Sequence, residues 1–215
     1  MKSAAAKPAA LLLLAALLGT FAACGPPPGR ETPPPPAPPV QASPSPTAEE
    51  ASTIQARVLA HTPQEWMLLQ AQISSLDDIT DEMIYEYPAS CSTKDLRFSP
   101  IAYGSDFTVG SLDGILYFLG VTANAQTEWT LRYTAELDGV KLAFVRPDGT
   151  VEYLDSAAPD TELTLCVPAG ESALAVAGYQ GCASIKIQPD PQDGITLDTA
   201  LVTTLLETMA APDKN

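Results

Sequence analysis

A chain of 215 residues with 26 acidic and 11 basic side chains, net charge −15, has room for one domain. Its charge argues against nucleic acid and anionic lipid surfaces, which would repel it. The balance suits solubility outside the cell and attraction to cations, Ca²⁺ included, although a solvated acidic surface accounts for it without any ligand.

The first 23 residues read as an export signal. Lys2 and Lys7 supply the basic start, residues 9–18 an apolar stretch, and small residues follow. That stretch is shorter than the ~20 residues a membrane span requires. It leads into Phe21-Ala22-Ala23-Cys24, which resembles the lipobox of bacterial lipoproteins: a large apolar residue and two small ones before a cysteine, with Phe21 where leucine is usual. The resemblance implies that the Cys24 thiol takes a diacylglycerol and that cleavage makes Cys24 the mature N-terminus. It implies a protein that is exported, lipid-anchored to the membrane and facing the extracytoplasmic side. Each buried CH₂ of such an anchor contributes about 0.8 kcal/mol. An ordinary secretory signal with an incidental cysteine is the alternative. Cleaved there, the chain keeps 26 acidic and nine basic residues, a net charge of −17.

Residues 24–48 are the lipidated cysteine and a spacer in which residues 25–48 hold 11 prolines. Proline fixes φ and lacks an N–H, so the segment favours extended polyproline II and spans up to roughly 70 Å. Composition shifts near Ala48, and roughly 165 residues remain, enough for one core.

Residues 49–100 form a predicted helical preface. Thr62, Pro63 and Glu65 make a capping box ahead of Trp66, Leu69 and Ile73. Ser75 and Asp78 open a second helix, with Leu76, Ile79, Met83, Ile84 and Tyr87 at helical spacing up to Pro88. Residues 51–61 suit helix or strand. The acidic residues between Asp77 and Glu86 have no EF-hand spacing, so they read as a solvated face rather than a metal site.

Residues 101–190 change to period two, with turn signals every eight to twelve residues, which predicts an antiparallel β-sandwich. In residues 127–137, Trp129, Leu131, Tyr133, Ala135 and Leu137 share one face. Asp138-Gly139 offers a two-residue hairpin turn into residues 140–146, and Pro147-Asp148-Gly149 the next turn into residues 151–154. Strands at Leu163 and Leu165, at Leu174 and Val176, and at Ile185 and Ile187 are separated by turns at 167–170 and 178–181. Residues 115–121 are apolar on both faces, predicting a central strand covered by the opposite sheet on one side and by helix or ligand on the other. In residues 191–215, Leu197, Leu201, Leu205 and Met209 recur at helical spacing, with Thr196 as cap, predicting a C-terminal helix and tail.

The fold class is therefore mainly β: an antiparallel sandwich flanked by N-terminal helices and a C-terminal helix, which the resemblance described next makes jelly-roll-like. The strand and turn spacing of residues 140–187, with Pro147-Asp148-Gly149 and Pro168-Ala169-Gly170, resembles small jelly-roll modules of secreted bacterial proteins, carbohydrate-binding modules among them. That resemblance implies a fold tendency and no site residues.

Catalytic sets are poorly supplied. His61 is the only histidine and precedes a helix start; there is no Gly-x-Ser-x-Gly, no Cys-x-x-Cys and no phosphate-cradling glycine loop. No carboxylate pair stands out. An enzyme is not expected, and no cofactor is implied. Cys91, Cys166 and Cys182 allow one disulfide, with Cys166 and Cys182 as the pair because alternation places both on the same outer layer, or three free thiols. Sugar binding needs aromatic faces. Trp129 falls on the core side, which leaves Tyr103, Tyr153 and Tyr179, in or beside turns, as candidate ligand-binding residues; ordinary rim tyrosines are the alternative.

The expectation is a surface-displayed, non-catalytic binding module for a glycan or cell-wall polymer. The alternative is a structural or protein-interaction lipoprotein that docks through its helices onto another envelope component.

Overall fold

The computed structural model describes residues 53–210. Residues 1–52, with the expected export signal, Cys24 and the spacer, and residues 211–215 lie outside the described residues.

Side-chain caps set the helical segment. Thr53 caps α1 (Ile54–Leu59) by accepting from the Ala56 N–H at 3.1 Å. The Thr62–Glu65 capping box opens α2 (Pro63–Gln72), with Pro63 at the first helical position. The long helix expected from Ser75 to Tyr87 is instead a 3-10 turn (Leu76–Asp78) followed by α3 (Asp81–Glu86), broken where Ile79 turns extended. Thr80 accepts from the Met83 N–H at 3.2 Å and starts the helix afresh. Thr and Asp satisfy backbone donors better at caps than inside helices, and this stretch holds Thr80 and three aspartates.

Eight strands follow: β1 (Cys91–Lys94), β2 (Arg97–Ile101), β3 (Gly104–Ala123), β4 (Thr127–Val145), β5 (Val151–Leu154), β6 (Ala157–Val167), β7 (Gly170–Pro189) and β8 (Ile195–Asp198). β1 and β2 fall in the stretch read as helical preface. Each half-buries only two residues over four or five positions, too few apolar side chains to show in the sequence. Every pairing is antiparallel.

β3, β4 and β7 are 20, 19 and 20 residues long, and all three run through both layers of the fold. At one level their register shifts together: Leu112 to Gly114 on β3, Asp138 to Val140 on β4, and the facing Gly178 and Gly181 on β7. Asp138-Gly139 and residues 178–181, read as turns, are therefore the crease of a folded sheet. Gly139 takes φ +63, and a Cβ on Gly181 would stand 2.3 Å from the Gly139 carbonyl oxygen. Only glycine lets two backbones meet so closely.

On one side of the crease lie β2, β3, β7, β4 and β6; on the other lie β8, β3, β7, β4 and β5. Their inner faces share one core, in which Phe107, Trp129 and Ile185 of the first half meet Phe118, Phe144 and Val176 of the second. The outer face of the second half bears Ile115, Tyr117, Val145 and the small residues Ala143, Ala173, Ala175 and Ala177. Ile54, Val58, Trp66, Leu69, Ile84, Leu201 and Leu205 from the helices cover it. Residues 115–121 thus have sheet core on one face and helix on the other, as their doubly apolar sequence predicts.

The last helix, α4 (Leu201–Ala210), begins later than expected. Leu197 belongs to β8, which pairs with Gly120–Ala123, and Thr196 is a strand residue rather than a cap. Asp198 instead accepts from the Ala200 N–H at 2.9 Å. No described helix is long and apolar enough to cross a membrane.

Candidate functional site

The three candidate tyrosines are not brought together. Tyr153, 44% exposed, donates its hydroxyl to Asp81 Oδ1 at 2.5 Å, and Lys141 Nζ lies 5.5 Å from its ring centroid. Burial, then the hydrogen bond to Asp81, pushes its phenol well above the usual tyrosine range. Lys141 continues to the Ile79 carbonyl at 3.1 Å, so Tyr153 fastens α3 to the sheet. Tyr179, at the crease, is half-buried against the helical core beside a cleft of ≈ 260 Å³ shared with Gln70, Ile73 and Asp113.

Tyr103 differs: it is 64% exposed. It occupies the β2–β3 turn with φ +64, a left-handed conformation that Gly or Asn ordinarily fills. The next residue explains its placement. A Cβ on Gly104 would stand 2.0 Å from the Ile187 carbonyl oxygen and 3.0 Å from Pro189 Cδ, so the turn is pressed onto the end of β7. There Tyr103 overhangs the loop that leads from β7 to β8.

Together they enclose an open cleft of ≈ 640 Å³. Ile101, Ile195 and Leu197 give it apolar walls, and Trp129, only 1% exposed, lies at its base. Asp190, Gln192 and Asp193 supply polar groups, and two are anchored. Asp190 pairs with Arg132 at 3.3 Å and donates its N–H to the Thr130 carbonyl at 3.2 Å. Gln192 Nε2 donates to Thr127 Oγ1 at 3.1 Å and to the Glu128 carbonyl. Pro189 and Pro191 bracket Asp190 and stiffen the loop. The arrangement offers an aromatic ring, apolar walls and fixed hydrogen-bonding groups, the elements of a small-ligand or oligomer site.

The sequence reading named Tyr103 and Trp129 but not their neighbours. Residues 189–194 read as a connecting loop, and nothing in sequence places them beside a turn some ninety residues earlier. The string Pro189-Asp190-Pro191-Gln192-Asp193-Gly194 was the available signal: polar loop residues held by two prolines.

Elsewhere the chemistry-bearing residues have structural positions. The His61 ring stacks on Tyr87 at 4.3 Å, and its Nε2 meets the Glu86 carbonyl at 3.1 Å. Among the described residues, no three His, Cys, Asp or Glu side chains are grouped to hold a metal ion. Cys91, Cys166 and Cys182 are free thiols. Burial pushes the Cys91 thiol up to about 12. Cys166 stands opposite Glu128 and Cys182 opposite Asp138, ten positions apart on β4, so of the two alternatives the structure has three free thiols and no Cys166–Cys182 bridge. Ten strand residues span roughly 30 Å, whereas a bridge needs Cα atoms within about 7 Å.

The outer face of the first half-sheet lacks the aromatic platform that a sugar-binding face would show. It carries polar side chains, Thr108, Thr130, Arg132, Thr134, Glu136, Glu162, Thr164, Ser184, Lys186 and Gln188 among them, together with the exposed Cys166 and Cys182. Compared with known protein families, characterised proteins and solved structures, the chain matches none.

Proposed function

We propose that this chain is a lipid-anchored, surface-displayed, non-catalytic binding domain, and that it takes a glycan or cell-wall polymer in the cleft beneath Tyr103. The observation that carries the reading is the exposed Tyr103 ring, held in a left-handed turn at the rim of that cleft. A left-handed conformation costs a bulky residue about 1–2 kcal/mol, and such strain persists where the surroundings fix it. An aromatic face stacks on the apolar face of a sugar ring, while Asp190, Gln192 and Asp193 reach its hydroxyls. The lipobox and proline-rich spacer support display at a distance from the membrane. With one aromatic platform a single site is weak, and many copies in one membrane gain affinity by avidity.

Two experiments test the proposal. The mature chain carrying Cys24→Ser is mixed with peptidoglycan, chitin, cellulose and xylan and screened on a glycan array. Retention on at least one polymer, lost in Tyr103→Ala, is expected; uniform failure to bind would sink the reading. Labelled palmitate should enter the wild-type chain in a bacterial host and not Cys24→Ser, and equal labelling of the two would remove the anchor.

A further inference from the structure

The helical layer carries a second surface, independent of the Tyr103 cleft. Between α2 and α3 runs a groove of ≈ 530 Å³ with Leu69 at its floor and Leu68, Met83 and Tyr87 along it. Leu68 is 64% exposed and Met67 beside it 69%, while Trp66 and Leu69 of the same helix are buried. His61 backs Tyr87 and is itself held by the Glu86 carbonyl, so that wall is fixed.

Charge identifies the occupant. Glu65, Glu82 and Glu86 line the groove, and no lysine or arginine among the described residues does. Glu65 accepts from the Thr62 N–H at 2.7 Å, and that bond holds its carboxyl below the usual range, so it stays anionic. The neighbouring ring is His61, whose Nδ1 is 4.0 Å from Glu65. Arg57, the one arginine or lysine between positions 53 and 88, is 6% exposed and stacked 4.0 Å from the Tyr85 ring centroid, so it neutralises nothing outside.

We propose that this groove docks a basic amphipathic helix of a partner protein. The helix would set leucine-like side chains at i, i+3 and i+4 onto Leu68, Leu69, Met83 and Tyr87, with flanking lysines or arginines against Glu65, Glu82 and Glu86. A second copy of this chain would bring a like-charged groove and be repelled. The spacer has one basic residue, Arg30, and no leucine, so it lacks both elements.

The test uses the mature chain carrying Cys24→Ser and a fluorescent helix of about 18 residues built from leucine and lysine at that spacing, followed by anisotropy. Saturable binding is expected, weakened about tenfold or more by Leu68→Gln and by Glu82→Lys with Glu86→Lys. Glu136→Lys with Glu162→Lys, on the opposite half-sheet, should leave it unchanged. All these side chains are at least partly exposed, and unaltered melting curves establish that the variants fold. The proposal is overturned if the groove variants bind as the parent does, or if a serine–lysine peptide of equal charge binds equally well. It is also overturned if the chain dimerises and Leu68→Gln disperses the dimer.

Discussion

Phe107 and Phe118 lie eleven positions apart on the same strand, yet their rings stack with centroids 4.8 Å apart. Extended backbone of that length spans roughly 36 Å, so the contact exists only because the sheet folds back at the crease. Phe118→Ala opens a cavity in a fully buried core and is expected to cost about 3–5 kcal/mol. A double-mutant cycle with Phe107→Leu should return a coupling of about 0.5–1.5 kcal/mol, measured by urea denaturation. Independent, additive losses would mean that the two halves do not share one core.

The crease itself is tested at Gly181. A Cβ there meets the Gly139 carbonyl oxygen at 2.3 Å, backbone against backbone, and Val140 Cγ2 at 2.6 Å. Gly181→Ala should destabilise by about 1–3 kcal/mol or more. Gly194 makes the control: its φ is +86, but nothing lies within 4 Å of an added Cβ. Gly194→Ala carries only the conformational cost, about 1–2 kcal/mol. Equal melting temperatures for the two variants would argue against the close approach.

Much of this architecture was legible in the sequence, and the misreadings share a cause. Alternation in residues 127–137 placed Trp129 in the core, and the doubly apolar residues 115–121 announced a strand covered on both sides. Asp138-Gly139 misled because a glycine with positive φ serves a hairpin turn and a bulge equally well; register with β7 decides between them, and register is a long-range property. The candidate site was half legible for the same reason. Tyr103 could be named from its place near a turn, whereas its partners Asp190 and Gln192 reach it only because Gly104 lets the turn rest on Ile187 and Pro189.

The cysteines should divide two to one. In the mature chain carrying Cys24→Ser, Cys166 and Cys182 are exposed and should alkylate under native conditions without prior reduction. Cys91 should react only after denaturation, because burial keeps its thiol protonated. The same shift sets a pH dependence. The unfolded thiol ionises near its ordinary value of about 8.5, the folded one near 12, so between these the unfolded chain binds fewer protons. Stability should therefore fall as pH rises through that window, and less steeply in Cys91→Ala. Mass spectrometry before and after denaturant reads the labelling; a mass about 2 Da low in the native protein would instead reveal a bridge.

Tyr103 should show stability and binding moving in opposite directions. Asn tolerates the left-handed conformation that Tyr103 holds at φ +64, and the ring, being mostly exposed, gives up little burial. Tyr103→Asn should therefore fold as well as the parent or gain about 0.5–1 kcal/mol, while retention on the polymer that the parent binds is lost. Calorimetry and polysaccharide pull-down on the same preparation separate the two effects. A variant that melts earlier and still binds would mean that Tyr103 serves the turn and not the ligand.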